Sequence, residues 1–144
     1  MFKTGKFNLH SGETSNWKLD LSLLPEGWED EIAKIAIHNG LVFGFSKAIG
    51  IPSGGTKLAA AFNRYKQWGS KSVLIVDDVL TTGNSFREAY NSLAPYTKRH
   101  KTIKGFVVFA RNIIPPDLEW VNPLFFYAPA AWKMELKALA HQYM

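Results

Sequence analysis

The sequence predicts an α/β fold in which helices flank a mostly parallel sheet. Short runs of consecutive apolar residues, among them Val73–Val76 and Phe106–Phe109, are typical of strands that are covered on both faces. Segments with helical spacing separate these runs, and this alternation indicates parallel strands joined by right-handed crossovers. The 144 residues contain no internal repeat and no linker rich in Gly, Ser or Pro. We therefore expect a single domain spanning residues 1–144.

Composition limits the class of protein. Apolar residues make up 47% of the chain and aromatic residues 14%, which favours a packed globule over disorder. Cysteine is absent, so disulfides and thiolate metal sites are excluded. No apolar run approaches the roughly 20 residues that cross a bilayer, and Met1–Lys6 lacks the apolar stretch of a signal peptide. We expect a cytoplasmic protein without a membrane partner.

The net charge of +5 raises the question of a nucleic-acid partner. The densest basic cluster, Lys98–Lys101, lies in a connection between elements, and no nucleic-acid-binding motif accompanies it. An anionic small molecule accounts for the same positive charge more economically. We therefore expect no nucleic-acid partner.

The first half of the chain is expected to contain two helices and one strand. The segment Phe2–Leu24 has mixed polarity, which indicates irregular structure or small strands. A helix follows Pro25 and ends at Asn39-Gly40, and its apolar positions recur at helical spacing: Trp28, Ile32, Ile35 and Ala36. Leu41–Phe43 is typical of a short buried strand. The loop Gly50–Gly55 leads into a second helix, whose apolar face comprises Leu58, Ala61, Phe62 and Tyr65.

The second half continues the alternation. After the strand Val73–Val76 and a polar turn, the segment Ser85–Glu88 fits a helix capping box. The helix that follows has apolar positions Phe86, Ala89, Tyr90 and Leu93. Phe106–Phe109 and Leu124–Tyr127 are expected to be further strands, and a last helix begins near Trp132.

The most informative segment is Val76–Ser85, in which a buried strand leads through two carboxylates into a helix. Asp77 and Asp78 are followed, after two apolar residues, by two threonines, a glycine, an asparagine and a serine. Backbone N–H groups at a helix start have no partner within the helix and carry partial positive charge, so they favour a phosphate. Gly83 permits positive φ and a close approach of the backbone. The segment therefore predicts an anion site at the start of the helix.

The two carboxylates require a different partner, because they repel a phosphate. They are suited to accept hydrogen bonds from sugar hydroxyls, so a sugar phosphate satisfies both parts of the segment. The alternative is that Thr81–Ser85 only caps a helix and that Asp77 and Asp78 form a solvated strand end. The complete ten-residue string favours the sugar phosphate.

Val73–Ser85 resembles the motif with which type I phosphoribosyltransferases bind 5-phosphoribosyl-1-pyrophosphate (PRPP). Both have an apolar run, two acids, then Thr-Thr-Gly and a small polar residue. The resemblance implies that Asp77 and Asp78 hold the ribose hydroxyls. It also implies that the 5-phosphate is bound by Thr81, Thr82, Gly83, Asn84 and Ser85.

Within this family the sequence is most similar to orotate phosphoribosyltransferases. Phe7–Ser15 resembles their N-terminal pattern Phe-x-Leu-x-Ser-Gly-x-x-Ser, which builds part of a hood over the base. The resemblance implies a small hood formed by the N- and C-terminal segments. It also implies that Phe7 and His10 bind the nucleobase. As a pattern taken alone, this segment also fits a small polar hairpin.

Two further segments match the same family. Phe43-Gly44 and Gly50–Pro52 resemble its pyrophosphate loop, and successive backbone N–H groups ahead of a helix suit an anion, so Ser53, Gly54 and Gly55 are expected to bind pyrophosphate. Arg111 follows the strand Phe106–Ala110 at the place where orotate enzymes carry an arginine that pairs with the base's carboxylate. A guanidinium binds a carboxylate in a bidentate manner, through two parallel hydrogen bonds. The alternative is a surface arginine at a strand end.

The sequence departs from the family at two places. His10 stands where orotate enzymes usually carry a lysine. The family also has a strand and a long mobile loop, bearing cations for the departing pyrophosphate, where this chain has only Asn63–Lys71. We expect that other cations take over part of this catalytic role, from the same chain or from a neighbouring subunit: Lys47, Arg64, Lys66 and Lys71.

The expected function is transfer of phosphoribose from PRPP to a nucleobase, orotate or a similar pyrimidine, with release of pyrophosphate. Mg²⁺ is expected to bind mainly through PRPP, without a direct protein ligand, and the resemblance implies a homodimer. One alternative is a PRPP-binding regulator or a catalytically impaired relative. Another is a receiver-type signalling domain, but receivers place their acids after the first strand and not after a later one.

Overall fold

A four-stranded, fully parallel sheet forms the centre of the protein. The structure, a computed structural model, describes residues 2–8, 14–19 and 24–126. The strands lie in the spatial order β3-β4-β5-β6, with bounds β3 (Lys47–Gly50), β4 (Ser72–Leu80), β5 (Thr102–Ala110) and β6 (Val121–Phe126). The predicted α/β class with a parallel sheet is therefore confirmed.

Helices connect and cover the strands of this sheet. They are α1 (Trp28–His38), α2 (Gly54–Asn63), α3 (Asn84–Asn91) and α4 (Pro95–His100), with a short 3-10 helix at Pro116–Leu118. Within the part of the chain that the structure describes, no helix combines the length and the apolar character needed to cross a membrane.

A two-stranded antiparallel hairpin precedes the central sheet in the chain. It consists of β1 (Phe2–Asn8) and β2 (Thr14–Leu19), and its register pairs Phe7 with Ser15. Small strands are therefore found where the sequence favours either these or irregular structure. His10 and the last predicted helix, from Trp132, lie outside the described residues, and the predicted hood stays a prediction.

The helices lie on both faces of the sheet, and this placement fixes the hands of the crossovers. α2 packs on one face, where Phe62 contacts Phe45 and Phe106 with ring centroids 6.0 and 5.1 Å apart. α3 packs on the other face through Phe86. Because β3, β4 and β5 follow one another in space, crossovers on opposite faces have opposite hands. One of them is therefore left-handed, contrary to the sequence-based expectation.

The outer edge of β3 is covered by a side chain instead of a strand. The Ala48 N–H donates to Asn63 Oδ1 at 2.8 Å, and Asn63 Nδ2 donates to the Ala48 carbonyl at 3.0 Å. The Asn63 amide thus makes the pair of bonds that a neighbouring strand would make. An uncovered strand edge promotes pairing with other chains, and this bond pair removes one such opportunity.

The segment Leu41–Phe43 is not the predicted strand. The N–H groups of Leu41 and Val42 donate back to the Ala36 carbonyl, at 2.9 and 3.3 Å, so both residues belong to the turn that ends α1. Phe43 is 66% exposed, and the strand begins only at Lys47. The prediction failed because an apolar triplet does not distinguish a strand from a helix-ending turn.

Two strand boundaries and the buried face of α1 also differ from the sequence-based expectation. β4 continues through the two aspartates to Leu80, and β6 begins at Val121, three residues before the predicted start. Ile35, expected on the buried face of α1, is 42% exposed, and Ala33 is buried instead. The predicted helices α1, α2 and α3 are otherwise confirmed.

We predict that Asn63→Ala lowers the free energy of unfolding by about 1–2 kcal/mol, because the Ala48 N–H and C=O lose their partners. The uncovered edge should also increase concentration-dependent association. Urea denaturation and light scattering measure the two effects. The control is Asn91→Ala at the exposed end of α3. Equal behaviour of the two variants would contradict the role given to Asn63.

Candidate functional site

Three loops meet at the carboxyl edge of the sheet. The first follows β3 and enters α2 at Gly54, the second follows β4 and enters α3 at Asn84, and the third follows β5 at Arg111. The second and third loops contact each other, since the Arg111 N–H donates to the Leu80 carbonyl at 2.9 Å. Parallel sheets bind their ligands at this edge. The fold therefore brings together most of the residues that the sequence predicts for the site.

The loop after β4 forms a cradle at the start of α3. Gly83 precedes the helix with φ 90°, and a Cβ there would overlap the Leu118 side chain, so glycine is required by both conformation and space. The loop encloses a cleft of about 260 Å³, lined by Val79, Leu80, Thr81, Thr82, Gly83, Asn84, Ser85, Phe86 and Glu88. All five residues predicted to bind the 5-phosphate line this cleft. The first-turn amides of α3 have no acceptor within the helix and suit an anion.

The loop after β3 packs directly against the two-aspartate segment. A Cβ on Gly54 would overlap the Asp78 carboxylate, and a Cβ on Gly55 would overlap the Val76 carbonyl. The start of α2 therefore lies on the backbone of β4 at a distance that only glycine permits. The peptide bond between Pro52 and Ser53 is cis. This contact brings Ser53, Gly54 and Gly55, predicted for pyrophosphate, next to the predicted ribose site.

The two aspartates differ in environment. Asp77 is 7% exposed and Asp78 is half-buried. Burial, followed by the neighbouring Asp78 carboxyl, raises the pKa of Asp77 to about 8. The Asp78 N–H donates to Asp77 Oδ1 at 2.8 Å, and the Val79 N–H donates to Asp78 Oδ1 at 2.8 Å. Asp77 is thus a buried, proton-holding group, and Asp78 is the more accessible of the two carboxylates.

The alternation of side chains along β4 breaks at the two aspartates. Val76 and Val79 both pack in the core on the α2 face, whereas Leu80 packs on the α3 face. Strict alternation would place Val76 and Val79 on opposite faces. The self-directed bonds of the aspartates occur within this irregular stretch.

The four cations predicted for catalysis lie at the opposite edge of the sheet. α2 begins beside Asp78 and ends at Asn63, which bonds to Ala48 near the start of β3. Residues that follow α2, precede β4 or begin β3 therefore gather at the amino edge: Lys47, Arg64, Lys66 and Lys71. At about 3.3 Å per residue, the length of β4 places them roughly 20 Å from Asp78.

Two of these cations already have partners at that edge. Arg64 Nη1 pairs with Asp30 Oδ1 at 3.3 Å, and Lys66 Nζ lies 4.9 Å from the centre of the Trp68 ring. The assignment of the four cations to this chain's own site is therefore wrong. The error came from sequence proximity, because residues just before the two-aspartate strand lie at its far end.

Phe7 and His10 are not placed at the site by the structure. Phe7 lies in β1, of which the structure describes the backbone, and His10 lies outside the described residues. Their assignment to the base stays a prediction. Arg111 is half-buried directly after β5, at the same edge as the aspartates.

Sequence reasoning missed Arg87 and Asp117. Arg87 lies in the first turn of α3 and forms a two-bonded ion pair with Asp117, with Nε–Oδ2 2.7 Å and Nη2–Oδ1 3.0 Å. Arg87 was within reach of the sequence argument, since it follows the loop by two residues. Asp117 was not, because only the tertiary fold brings the 3-10 helix to α3.

A scan against protein-family models finds no match. Among curated proteins, the chain is similar to an orotate phosphoribosyltransferase of Staphylothermus marinus, with 30% identity over 118 residues, covering 65% of this chain and 58% of that protein. The chain thus matches somewhat more than half the length of this relative.

Solved structures share the fold. Orotate phosphoribosyltransferase from Aeropyrum pernix superposes with a TM-score of 0.66 at 22% identity, covering 96% of this chain and 93% of that chain. The enzyme of the same name from Francisella tularensis gives 0.56 at 20% identity, covering 87% and 80%. At these identities the likeness establishes a common fold.

We predict that Asp77→Asn removes a pH dependence of stability. The raised pKa means that folded Asp77 keeps its proton above 3.8, where the unfolded chain loses it. Stability from this group is therefore complete below about pH 4 and is lost as the pH rises towards 8. Urea unfolding at pH 5 and pH 8 should show a loss for the natural chain that exceeds the loss for Asp77→Asn by at least about 1 kcal/mol. Parallel losses would contradict the buried, protonated state.

Proposed function

We propose that this chain, whose sequence and fold support a place in the phosphoribosyltransferase family, transfers phosphoribose from PRPP to a nucleobase and releases pyrophosphate. The observation that carries the proposal is the contact between Gly54 and Asp78. It joins a helix start suited to pyrophosphate to a carboxylate suited to ribose. The cradle at Thr81–Ser85 then supplies the third position, for the 5-phosphate.

The three subsites fit the three parts of PRPP. Phosphate oxygens accept hydrogen bonds from backbone amides and hydroxyls, which the start of α3 and its loop provide. Ribose hydroxyls donate to a carboxylate, and Asp78 is the accessible one. Pyrophosphate fits the start of α2 at Ser53 and Gly54, whereas the Gly55 N–H already donates to the Ile51 carbonyl at 2.8 Å.

Mg²⁺ fits this arrangement through substrate oxygens. In the described ranges 2–8, 14–19 and 24–126, no three His, Asp or Glu side chains form a metal cluster. Asp77 is a poor ligand because burial keeps it protonated. Asp78 would hold the ion through water, together with pyrophosphate oxygens, and this sharing is usual for Mg²⁺. When bound, the ion would neutralise charge on pyrophosphate.

The reaction forms a bond between a base nitrogen and the anomeric carbon of ribose. The bond from that carbon to the pyrophosphate oxygen breaks, and its electron pair leaves with pyrophosphate, while the proton of the base nitrogen is released to water. Positive charge develops on the sugar and negative charge on the leaving group. The Asp78 carboxylate favours the first charge, and the amides of Ser53 and Gly54 favour the second. Fixed charges and dipoles aimed at developing charge are a major source of catalysis.

We propose orotate, or a similar carboxylated pyrimidine, as the base. The position of Arg111 supports this part of the proposal. Arg111 directly follows β5 and lies beside the end of β4, where its N–H donates to the Leu80 carbonyl. A guanidinium at that place suits a carboxylate. The similarity to a curated orotate phosphoribosyltransferase supports the same base.

Closure of the site would come from a segment other than the connection between α2 and β4. The connection between α2 and β4 lies at the amino edge and is too short to reach the loops. The Phe7–Ser15 segment and the aromatic stretch from Phe125 to Trp132 are the alternatives suggested by sequence, and both lie partly outside the described residues. The expected homodimer and cytoplasmic location also stay predictions.

A base-exchange assay tests the proposed function. Labelled orotate, uracil and purine bases are incubated with PRPP and Mg²⁺, and both nucleotide formation and pyrophosphate release are measured. We expect a pyrimidine nucleotide and equimolar pyrophosphate. Tight PRPP binding without either product would indicate a regulatory PRPP-binding protein instead. Absence of PRPP binding would refute the assignment of the loops.

We predict that Asp78→Asn weakens PRPP binding more than tenfold, because hydrogen bonds to a charged group contribute about 1.5–3 kcal/mol each. Calorimetric titration measures the affinity. The control is Glu26→Gln, which changes the charge equally but is exposed and precedes α1, whose Asp30 pairs with Arg64 at the amino edge. If the control weakens binding as much, the effect comes from net charge and not from the ribose site.

We predict that Arg111→Ala abolishes the preference for orotate over uracil and leaves PRPP affinity within about twofold. A bidentate ion pair between a guanidinium and the carboxylate of the base discriminates strongly against a base that lacks the carboxylate. Competition between the two bases at fixed PRPP gives the preference. Loss of PRPP binding in step with base binding would assign Arg111 to the pyrophosphate or to the fold.

A further inference from the structure

Arg87 makes four hydrogen bonds, two to Asp117 and two to the loop that forms the cradle. Its Nε and Nη2 donate to the two carboxylate oxygens of Asp117, at 2.7 and 3.0 Å. Its Nη1 donates to the Thr82 carbonyl at 3.1 Å and to Asn84 Oδ1 at 2.9 Å. Both of these acceptors belong to the loop that lines the cleft. One guanidinium therefore links the 3-10 helix to two residues of the cradle.

The 3-10 helix supports the same loop by packing. Leu118 is 1% exposed, and its side chain fills the space where a Cβ on Gly83 would lie. Arg87 Nη1 lies 3.7 Å from that same position. Asp117 and Leu118 thus support adjacent parts of the loop from behind, Asp117 through Arg87 and Leu118 by direct contact.

The ion pair between Arg87 and Asp117 is too exposed to contribute much to the stability of the fold. The side chains of Arg87 and Asp117 are 34% and 58% exposed, and ion pairs of this kind add little to the free energy of unfolding. A planar guanidinium held at two points has, however, a fixed orientation. Its remaining donors then fix the Thr82 carbonyl and the Asn84 side chain. Orientation of the loop is the effect that this geometry produces.

We propose that Arg87, held by Asp117, is a positioning residue that keeps the Thr81–Ser85 loop in its phosphate-binding shape before the ligand arrives. The proposal rests on the proposed function and assigns a role within the 5-phosphate subsite. A loop that is already ordered loses less conformational entropy on binding, so affinity for the phosphate is higher. Arg87 acts through the loop and does not need to touch the phosphate.

A purely electrostatic role makes the opposite prediction for Asp117. If Arg87 acted only as a nearby positive charge, Asp117→Asn would tighten phosphate binding, because a negative charge is removed. If Arg87 acts as a positioning residue, the same variant weakens binding, because the guanidinium loses its fixed orientation. The sign of the change therefore separates the two roles.

Calorimetric titration with three ligands tests the proposal: PRPP, ribose 5-phosphate and pyrophosphate. We expect Arg87→Gln and Asp117→Asn each to weaken PRPP and ribose 5-phosphate by about tenfold, the effect of one or two hydrogen bonds. Pyrophosphate affinity should stay within about twofold, since its subsite lies at α2. Arg87→Lys keeps the positive charge but lacks the planar guanidinium that bonds Asp117 at two points. Its affinities should therefore resemble those of Arg87→Gln. The double variant Arg87→Gln/Asp117→Asn should be no weaker than either single variant.

A second measurement does not depend on PRPP being the ligand. In the ligand-free protein, backbone amides at residues 81–86 should exchange with solvent several-fold faster in Arg87→Gln. Lys34→Gln, which breaks an exposed ion pair with Asp30 at 3.2 Å on α1, is the matched control and should leave these amides unchanged. Failure of the natural chain to bind PRPP, with faster exchange in Arg87→Gln, would refute the proposed function alone. Unchanged exchange, tighter binding by Asp117→Asn, or equal losses for pyrophosphate would overturn the positioning role.

Discussion

The close packing of α2 on β4 is the constraint on which the rest of the site depends. Gly55 lies against the Val76 carbonyl and Gly54 against the Asp78 carboxylate, at separations that no Cβ permits. This contact sets the distance between the loop after β3 and the loop after β4. Any larger residue would push α2 away from the sheet and separate the two subsites. The glycines therefore determine whether a ligand is able to contact both loops.

The two adjacent aspartates differ in chemistry. Asp77 is buried and keeps its proton to about pH 8, whereas Asp78 faces the loop at the start of α2. Two ionised carboxylates side by side would repel each other. Neutral Asp77 removes this repulsion. The pair therefore suits the proposed sugar-phosphate ligand better than two ionised carboxylates would.

The covering of the β3 edge by Asn63 and the position of the four predicted cations have one common cause. The chain passes from α2 to β4 without an additional strand, so Asn63 covers β3 and the two crossovers have opposite hands. The basic residues of this connection consequently lie at the amino edge. A site that lacks these cations depends on the amides of its loops and on residues such as Arg87 that hold those loops in place.

The sequence by itself determined the fold class and three of the helices, because apolar periodicity and helix-start chemistry are local. Its resemblance to a known family predicted the site residues Asp77–Asp78, Thr81–Ser85, Ser53–Gly55 and Arg111, which the structure brings to one edge of the sheet. The sequence did not distinguish the strand Lys47–Gly50 from the turn at Leu41–Phe43, since both are short and apolar. Only the tertiary structure separated Asp77 from Asp78 by burial, sent the four cations to the far edge and brought Asp117 to Arg87. Burial, strand direction and contacts between distant segments depend on the packed chain, and no local pattern encodes them.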